Sequence, residues 1–268
     1  MKLIIKAKKS LGQNFLIDKN IINNIAKVVN INKDSIVLEI GPGYGHLTEC
    51  LLSLNPKKIY AVEKDKKLFL FLKEKFKENK KVKIINQDIL DFLKKNMPEN
   101  NLIVFGNLPY NISTKILADL IMLKKWPPWY KRLVFMFQKE VADRIICKKQ
   151  NKQYGRLSVL ANWRLDIKKH FNISKNCFYP KPRIDSTLLS FSTKSENKFP
   201  LKNPKNLEIV TRVLFSNRRK MINKSFKKLF NNKMPMTKKT KIDLNKRPEE
   251  LSGDLFYELA VLYEKLFD

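Results

Sequence analysis

The chain is predicted to be an α/β protein: a mostly parallel sheet with helices on both faces, followed by a small all-helical C-terminal domain. Three observations carry this. Short apolar runs alternate with amphipathic stretches as far as Ser192, the strand-then-helix order recurs along that stretch, and afterwards apolar residues fall at helical spacing. Parallel neighbours need crossover connections, which the intervening helices supply.

Taken in order, residues 21–29 read as a helix and 35–40 as the first strand, because Ser35 opens a run of Ile and Val that ends in glycines. Residues 46–54 then read as a helix, 58–63 as a strand, 66–77 as a helix and 82–87 as a strand. Strands at 102–106 and 132–138 follow, each leading into an amphipathic segment, at 113–123 and 139–146. Residues 156–163 and 187–192 read as two further strands. No helix of useful length separates them, so they are expected to form an antiparallel pair at the sheet edge. Residues 194–205 are polar and contain Pro200 and Pro204, a linker pattern. Beyond it Leu207, Val210, Val213, Leu214, Ile222, Phe226 and Phe230, then residues 255–267, show helical spacing. The domains are therefore set at 1–195 and 196–268.

Composition narrows the class. Hydrophobic residues make up 43% and charged residues 30% of the 268, which disfavours intrinsic disorder, collagen and disulfide scaffolds. No apolar run approaches the ~18 residues of a membrane span. Cys50, Cys147 and Cys177 are scattered and read as buried thiols in a reducing compartment, so a cytoplasmic protein is expected. The 55 Lys and Arg outnumber the 25 Asp and Glu, for a net charge of +30. A polyanionic partner, nucleic acid before membrane, is the first expectation. Most of these cations are Lys in a chain also rich in Ile and Asn, a pattern that a bias toward A- and T-rich codons also produces, so their location matters more than their sum.

The first strand runs through Glu39 into Gly41-Pro42-Gly43-Tyr44-Gly45, and a helix follows. Glycines there let backbone approach a ligand closely, and the helix start offers unpaired N–H groups. The spacing is not that of the dinucleotide fingerprint, so a nicotinamide cofactor is disfavoured. Alone, the motif also reads as a tight strand-to-helix turn. Two acids tip the balance: Glu63 closes the second strand, where a carboxylate accepts both hydroxyls of a ribose, and Asp88 closes the third, where it meets an adenine amino group. The ligand expected is an adenosine-bearing cofactor.

The fourth strand ends in Gly106-Asn107-Leu108-Pro109-Tyr110-Asn111. Methylating an adenine amino group requires acceptors that draw its hydrogens out of the ring plane and localise the nitrogen lone pair. The Asn107 side-chain carbonyl and the Leu108 backbone carbonyl are two such acceptors, Pro109 fixes the turn that aims them, and Tyr110 offers a face for a flipped-out base. Phe178, in Cys177-Phe178-Tyr179-Pro180-Lys181-Pro182, is the candidate for the other face; it also reads as a hydrophobic loop residue tucked on the core. His46 and His170 are the only histidines, without a Cys or acidic cluster beside them, so zinc deaminase chemistry is disfavoured, and no phosphate-binding G-x-x-x-x-G-K-[ST] loop is present. Methyl transfer from a sulfonium needs neither metal nor strong base.

Four ordered motifs complete the picture: Lys9-Ser10-Leu11-Gly12-Gln13-Asn14-Phe15-Leu16, Glu39-Ile40-Gly41-Pro42-Gly43, Asn107-Leu108-Pro109-Tyr110-Asn111-Ile112-Ser113, and Phe178-Tyr179-Pro180-Lys181-Pro182-Arg183-Ile184-Asp185-Ser186. With them the chain resembles the ribosomal RNA adenine dimethyltransferases, most closely the bacterial small-subunit type, over nearly its whole length. The resemblance implies a Rossmann-like methyltransferase sheet and S-adenosylmethionine as donor. It places Asn14 and Leu16 against the donor, Gly41 on its methionine side, Glu63 on the ribose, Asp88 on the adenine and Asn107 near the methyl group, with Gly43 also binding the cofactor. It implies as substrate two adjacent adenosines in a hairpin loop near the 3′ end of 16S rRNA, each methylated twice, and as partner the immature 30S subunit, acted on by a monomer with a role in subunit assembly. Lys2, Lys6, Lys8 and Lys9, and Arg218, Arg219, Lys220, Lys224, Lys227 and Lys228, are the basic residues it places toward RNA, with Arg218 and Arg219 favoured because Arg binds phosphate bidentately. A 23S rRNA adenine methylase of the macrolide-resistance type and a non-catalytic RNA-binding assembly factor are the competing readings. The Gly-Pro-Gly loop and the Phe-x-Pro-x-Pro segment speak against the first, and the presence of Asn107 and Glu63 against the second.

Overall fold

The computed structural model describes residues 5–94, 99–148, 151–196, 198–231 and 242–268. In chain order the elements are β1 (Phe15–Leu16), α1 (Lys19–Lys27), β2 (Ile36–Ile40), α2 (His46–Ser53), β3 (Lys58–Glu63), α3 (Lys66–Lys75), β4 (Val82–Asn86), α4 (Ile89–Phe92), β5 (Leu102–Gly106) and α5 (Tyr110–Ile121). There follow β6 (Tyr130–Gln138), α6 (Lys139–Ile146), α7 (Arg156–Arg164), β7 (Leu165–Ile173), β8 (Phe178–Tyr179), β9 (Ser186–Thr193), α8 (Lys205–Leu214), α9 (Asn223–Leu229) and α10 (Gly253–Phe267).

Seven strands form one sheet in the order β4-β3-β2-β5-β6-β9-β7. The pairs from β4 to β6 are parallel, and β9 runs antiparallel to β6. The order reverses beside β2, and the crevice at the carboxyl ends of such strands is where ligands of open α/β sheets bind. All five residues of β2 and of β5 are buried, as expected of strands covered on both faces. Three aspartates start the helices that follow strands or loops: Asp18 accepts from Ile21 N, Asp65 from Lys67 N and Asp88 from Leu90 N, each satisfying a donor the helix itself cannot.

A separate two-stranded sheet pairs β1 with β8, Phe15 opposite Tyr179 and Leu16 opposite Phe178. Residues opposed across such a ladder share a face, so the pair has two different sides. Leu16 and Phe178 belong to a core cluster with Ile25, Leu51, Phe105 and Leu188.

Residues 156–163 are not a strand. They form α7, and the edge strand lies just after it at β7. The helix is buried at Ser158, Val159, Leu160, Ala161, Trp163 and Arg164, nearly all round, so no polar face remains to reveal its period. β7 carries the opposite disguise, with Lys168 and Lys169 exposed on an edge.

The chain divides into two compact units. One comprises residues 1–116, 127–142 and 167–193; the other comprises 117–126, 143–166 and 194–268. The chain enters its last stretch of the second unit next to the boundary expected from sequence, but that unit also takes α7, whose helix packs on α8 and α10. Among the described residues, no helix is long and apolar enough to cross a membrane.

Candidate functional site

The carboxyl ends of β2, β3 and β5 open on a cavity of about 250 Å³ within the first unit. Gly41, Gly43, Glu63, Asp88, Asn107, Leu108, Pro109 and Tyr110 line it, together with Asn14 from the amino-terminal segment. Nine of the residues singled out in the sequence, from five separate stretches, thus surround one space. Leu16 is not among them. It lines an adjoining cavity of about 30 Å³ with Gly41, Gly43 and Asn107, and its carbonyl oxygen lies 3.3 Å from His46 Nδ1.

The glycine loop is shaped for close approach. Gly41 and Gly43 have φ of 68° and 59°, values that side-chain-bearing residues rarely adopt. A Cβ on Gly43 would stand 2.9 Å from the Phe15 ring, whereas one on Gly41 would meet only the Asn107 carbonyl at 4.0 Å. The Gly41 side of the loop is therefore free space beside the catalytic segment. Lys75 steadies the loop from α3: its ammonium donates to the Tyr44 carbonyl at 2.9 Å and pairs with Glu49 at 2.9 Å.

Glu63 is buried, with 6% of its surface exposed. Its Oε1 accepts from Asp65 N at 2.8 Å and its Oε2 from Gly43 N at 3.3 Å, so β3 and the glycine loop are tied through this carboxylate. Burial pushes its pKa above the ordinary value, against those N–H groups, which favour the charged form. Asp88 differs. Burial acts upward on it, but the Lys64 ammonium at 2.7 Å and the Leu90 N–H hold its carboxyl below the usual range. Lys64 itself lines the cavity and was not legible as a site residue, because an exposed Lys after a strand carries no signal of its own.

The Asn107 Nδ2 donates to the Asn14 carbonyl at 2.8 Å. Only the amide nitrogen can face a carbonyl oxygen, so this contact fixes the flip of the side chain and leaves Oδ1 as its free acceptor. Pro109 closes the turn: its carbonyl accepts from Ile112 N and Ser113 N at 3.0 Å each, starting α5. Tyr110 is half-buried, its hydroxyl 2.6 Å from Ser186 Oγ, so its ring is held from both ends.

Two expectations need correction. Phe178 is 3% exposed and packs in the core; it does not line the cavity. Alternation along β8 is the reason: Phe178 shares the inner side of the strand pair with Leu16, which sends its neighbour Tyr179 outward, 55% exposed. Arg218 is not a free phosphate ligand either. Its guanidinium donates to the carbonyls of Lys152 and Tyr154 and to Glu249 at 3.1 Å. Arg219, Lys220, Lys224, Lys227 and Lys228 remain exposed. Lys6 is exposed, Lys8 pairs with Asp65 at 2.7 Å, and Lys2 and the Lys9 side chain lie outside the described residues.

The amino-terminal segment is the part that spacing alone could not place. Ile5 exchanges hydrogen bonds with the Tyr44 hydroxyl, and Lys8 reaches Asp65, so the segment lies along the glycine loop and the β3 end of the cavity. Ser10, Leu11 and Gly12 then line it.

Fold and site define a class: the chain is an S-adenosylmethionine-dependent methyltransferase. The donor set fits that cofactor, with a buried carboxylate at one strand end, a second acid at the next, and apolar Ile40, Val62 and Ile89 between them. Comparison with known proteins makes the class specific. The family model for ribosomal RNA adenine dimethylase matches residues 4–265. A protein of Pelagibacter ubique named ribosomal RNA small subunit methyltransferase A is 51% identical, covering 98% of this chain and 99% of its own. A protein of the same name from a Wolbachia of Drosophila simulans is 38% identical, covering 99% and 97%. In fold, the chain is similar to a dimethyladenosine transferase from Plasmodium falciparum, at a TM-score of 0.76 and 24% identity over 94% of this chain and 98% of that one. It is also similar to the 23S rRNA methyltransferase ErmE, at a TM-score of 0.67 and 20% identity over 94% and 100%. The chain belongs to the ribosomal RNA adenine dimethylase family, and its activity is S-adenosylmethionine-dependent dimethylation of adenine in ribosomal RNA.

Proposed function

We propose that the substrate is the small-subunit rRNA, at two adjacent adenosines of a hairpin loop near the 3′ end of 16S rRNA, within the immature 30S particle. On this reading a cytoplasmic monomer carries out the reaction as a late step of subunit assembly. The small-subunit name of the 51% and 38% identical relatives supports the choice over 23S rRNA, as does the Gly41-Pro42-Gly43 loop. The exposed cations of the second unit, Arg219, Lys220, Lys224, Lys227 and Lys228, support a polyanionic substrate, since such contacts position a phosphate backbone without reading sequence.

The observation that carries the mechanism is the contact from Asn107 Nδ2 to the Asn14 carbonyl. It orients Oδ1 as an acceptor for one hydrogen of the target amino group, and the Leu108 carbonyl takes the other. With both hydrogens drawn out of plane, the nitrogen lone pair localises and becomes nucleophilic. The donor, when bound, would supply an electrophilic methyl group, its sulfonium leaving as a neutral thioether and the alkylated nitrogen then releasing its proton to water. Pro109 keeps the acceptor pair rigid, having a locked φ and no N–H. Tyr110 offers its face to the extruded base, with Ser186 holding the hydroxyl end. Glu63 accepts from the donor's ribose, and its two backbone N–H partners fix the carboxylate before the donor arrives. Asp88, kept ionised by Lys64, accepts from the adenine amino group. Asn14 encloses the donor from the amino-terminal segment, beside Gly41 and Gly43, while Leu16 lines only the smaller adjoining cavity.

The test is direct. Purified protein and donor are incubated with 30S particles from cells lacking this modification and with naked 23S rRNA, and the nucleosides are analysed by mass spectrometry. The reading expects N6,N6-dimethyladenosine at two adjacent positions of 16S rRNA only; dimethylation of 23S rRNA alone would replace it with the macrolide-resistance type.

A further inference from the structure

A second cavity lies outside the methyl-transfer site. It measures about 420 Å³ and is lined wholly by residues of the second unit. One wall is aromatic. Phe199 is half-buried, tilted against Tyr257 at 5.6 Å between centroids, and its carbonyl accepts from Trp163 Nε1 at 3.0 Å, which fixes the backbone that carries the ring. Lys198 stands over that ring, its ammonium 5.1 Å from the centroid and 3.5 Å from Asp254 in the first turn of α10. Lys148 and Lys194 line the same space.

The floor holds the second observation. Tyr154 is 4% exposed, yet its hydroxyl has no hydrogen-bond partner among the described residues. Buried polar groups are nearly always paired, so an orphan hydroxyl beside a cavity marks where a ligand atom belongs. An aromatic wall asks for a flat ring, the orphan hydroxyl and Asp254 offer one donor and one acceptor for its edge, and the lysines ask for a phosphate.

We propose that this cavity receives one unpaired nucleotide of the ribosomal RNA substrate, distinct from the adenosines that are methylated. The base stacks on Phe199 in the place that the Lys198 ammonium holds, its edge meets the Tyr154 hydroxyl and the Asp254 carboxylate that Lys198 then releases, and its phosphate lies toward Lys148 and the displaced Lys198. The proposal rests on the reading of rRNA as substrate and adds a binding site that shares no residue with the methyl-transfer cavity. Such a site anchors the RNA and leaves the methyl-transfer rate at saturation unchanged.

The test compares wild type, Phe199→Ala and Phe199→Tyr as full chains on undermethylated 30S particles. Stacking on an aromatic is worth ~1–3 kcal/mol per base, so Phe199→Ala should raise KM for the RNA roughly 5- to 150-fold. Donor affinity by calorimetry and kcat should stay within about twofold, and Phe199→Tyr should restore KM. A merely structural role for Phe199 would instead lower donor affinity, kcat and the melting temperature together, which overturns the proposal. So does an unchanged KM in a variant that methylates normally. If Phe199→Ala fails to fold, ultraviolet cross-linking of the wild type decides: a nucleotide adduct on the peptide bearing Phe199 supports the site, and adducts confined to other peptides overturn it. Protection of that peptide by adenosine monophosphate but not by the particle would assign the cavity to a free nucleotide and overturn the RNA assignment. Failure of the wild type to methylate 30S RNA would instead strike the function reading, and is seen separately.

Discussion

Replacing Glu39 by Gln should remove a loss of stability that the wild type suffers as pH rises through neutrality. Glu39 is 2% exposed on β2, directly before the glycine loop, and its carboxyl accepts from the Thr48 hydroxyl at 2.6 Å. Burial, with a smaller contribution from the Glu63 carboxylate, pushes its pKa up to about 7 from the ordinary 4.5, against the Thr48 hydrogen bond and the more distant Lys75 charge. The folded protein therefore keeps a proton there that the unfolded chain releases above 4.5. Between those values the unfolded state binds fewer protons, so stability falls as pH rises. At 1.36 kcal/mol per pH unit, the loss comes to about 3 kcal/mol and is complete above the folded pKa. Gln accepts the same hydroxyl and does not titrate. By calorimetry at a series of pH values, the two proteins should melt alike below the ordinary carboxylate value of 4.5, diverge between there and about 7, and stay apart above it, with the variant ahead by roughly 6–12 °C for a unit of this size. Parallel curves from acid to alkaline pH would refute the reasoning, since Glu39 would then be ionised in the folded protein throughout.

Other substitutions separate core from site. Phe178→Ala should cost about 3–5 kcal/mol of stability by denaturant titration, as for a buried Phe, and a normally stable variant with slowed transfer would return Phe178 to the site. Gly43→Ala forces a Cβ to 2.9 Å from the Phe15 ring at a φ of 59°, so donor affinity by calorimetry should fall, with a strain on the order of 1–3 kcal/mol. Tyr110→Ala should weaken transfer to RNA roughly 5- to 150-fold through lost stacking. Tyr110→Phe keeps the ring and loses only the Ser186 contact, so steady-state rates should drop by no more than about tenfold.

The residues that the sequence makes legible are those whose chemistry is tied to a strand end. Glu63 and Asp88 could be paired from sequence because each follows an apolar run that can only be a strand, and the structure brings both to one cavity with Asn107 and the glycine loop. What escaped depends on facing rather than on type. Phe178 and Tyr179 are both aromatic, and only the register of β8 against β1 decides which one is buried. Arg218 and Arg219 are identical neighbours, and only the nearby carbonyls of Lys152 and Tyr154 and the Glu249 carboxylate commit the first of them to structure. α7 hid because burial on nearly every side removes the polar stripe by which a helix is recognised. Lys64 joined the site, and Lys8 came to its edge, through ion pairs with acids distant in sequence, a pairing that a chain with a net charge of +30 leaves unspecified.

The acceptor at Asn107 is where the account is most exposed. Methyl transfer measured in a single turnover with saturating donor and RNA isolates the chemical step from binding. Asn107→Ala should slow that step by about 100-fold or more, comparable to deleting one preorganised polar group from an active site, while calorimetry finds the donor bound within about threefold of wild type. A variant that transfers methyl groups at the wild-type rate would contradict the account outright.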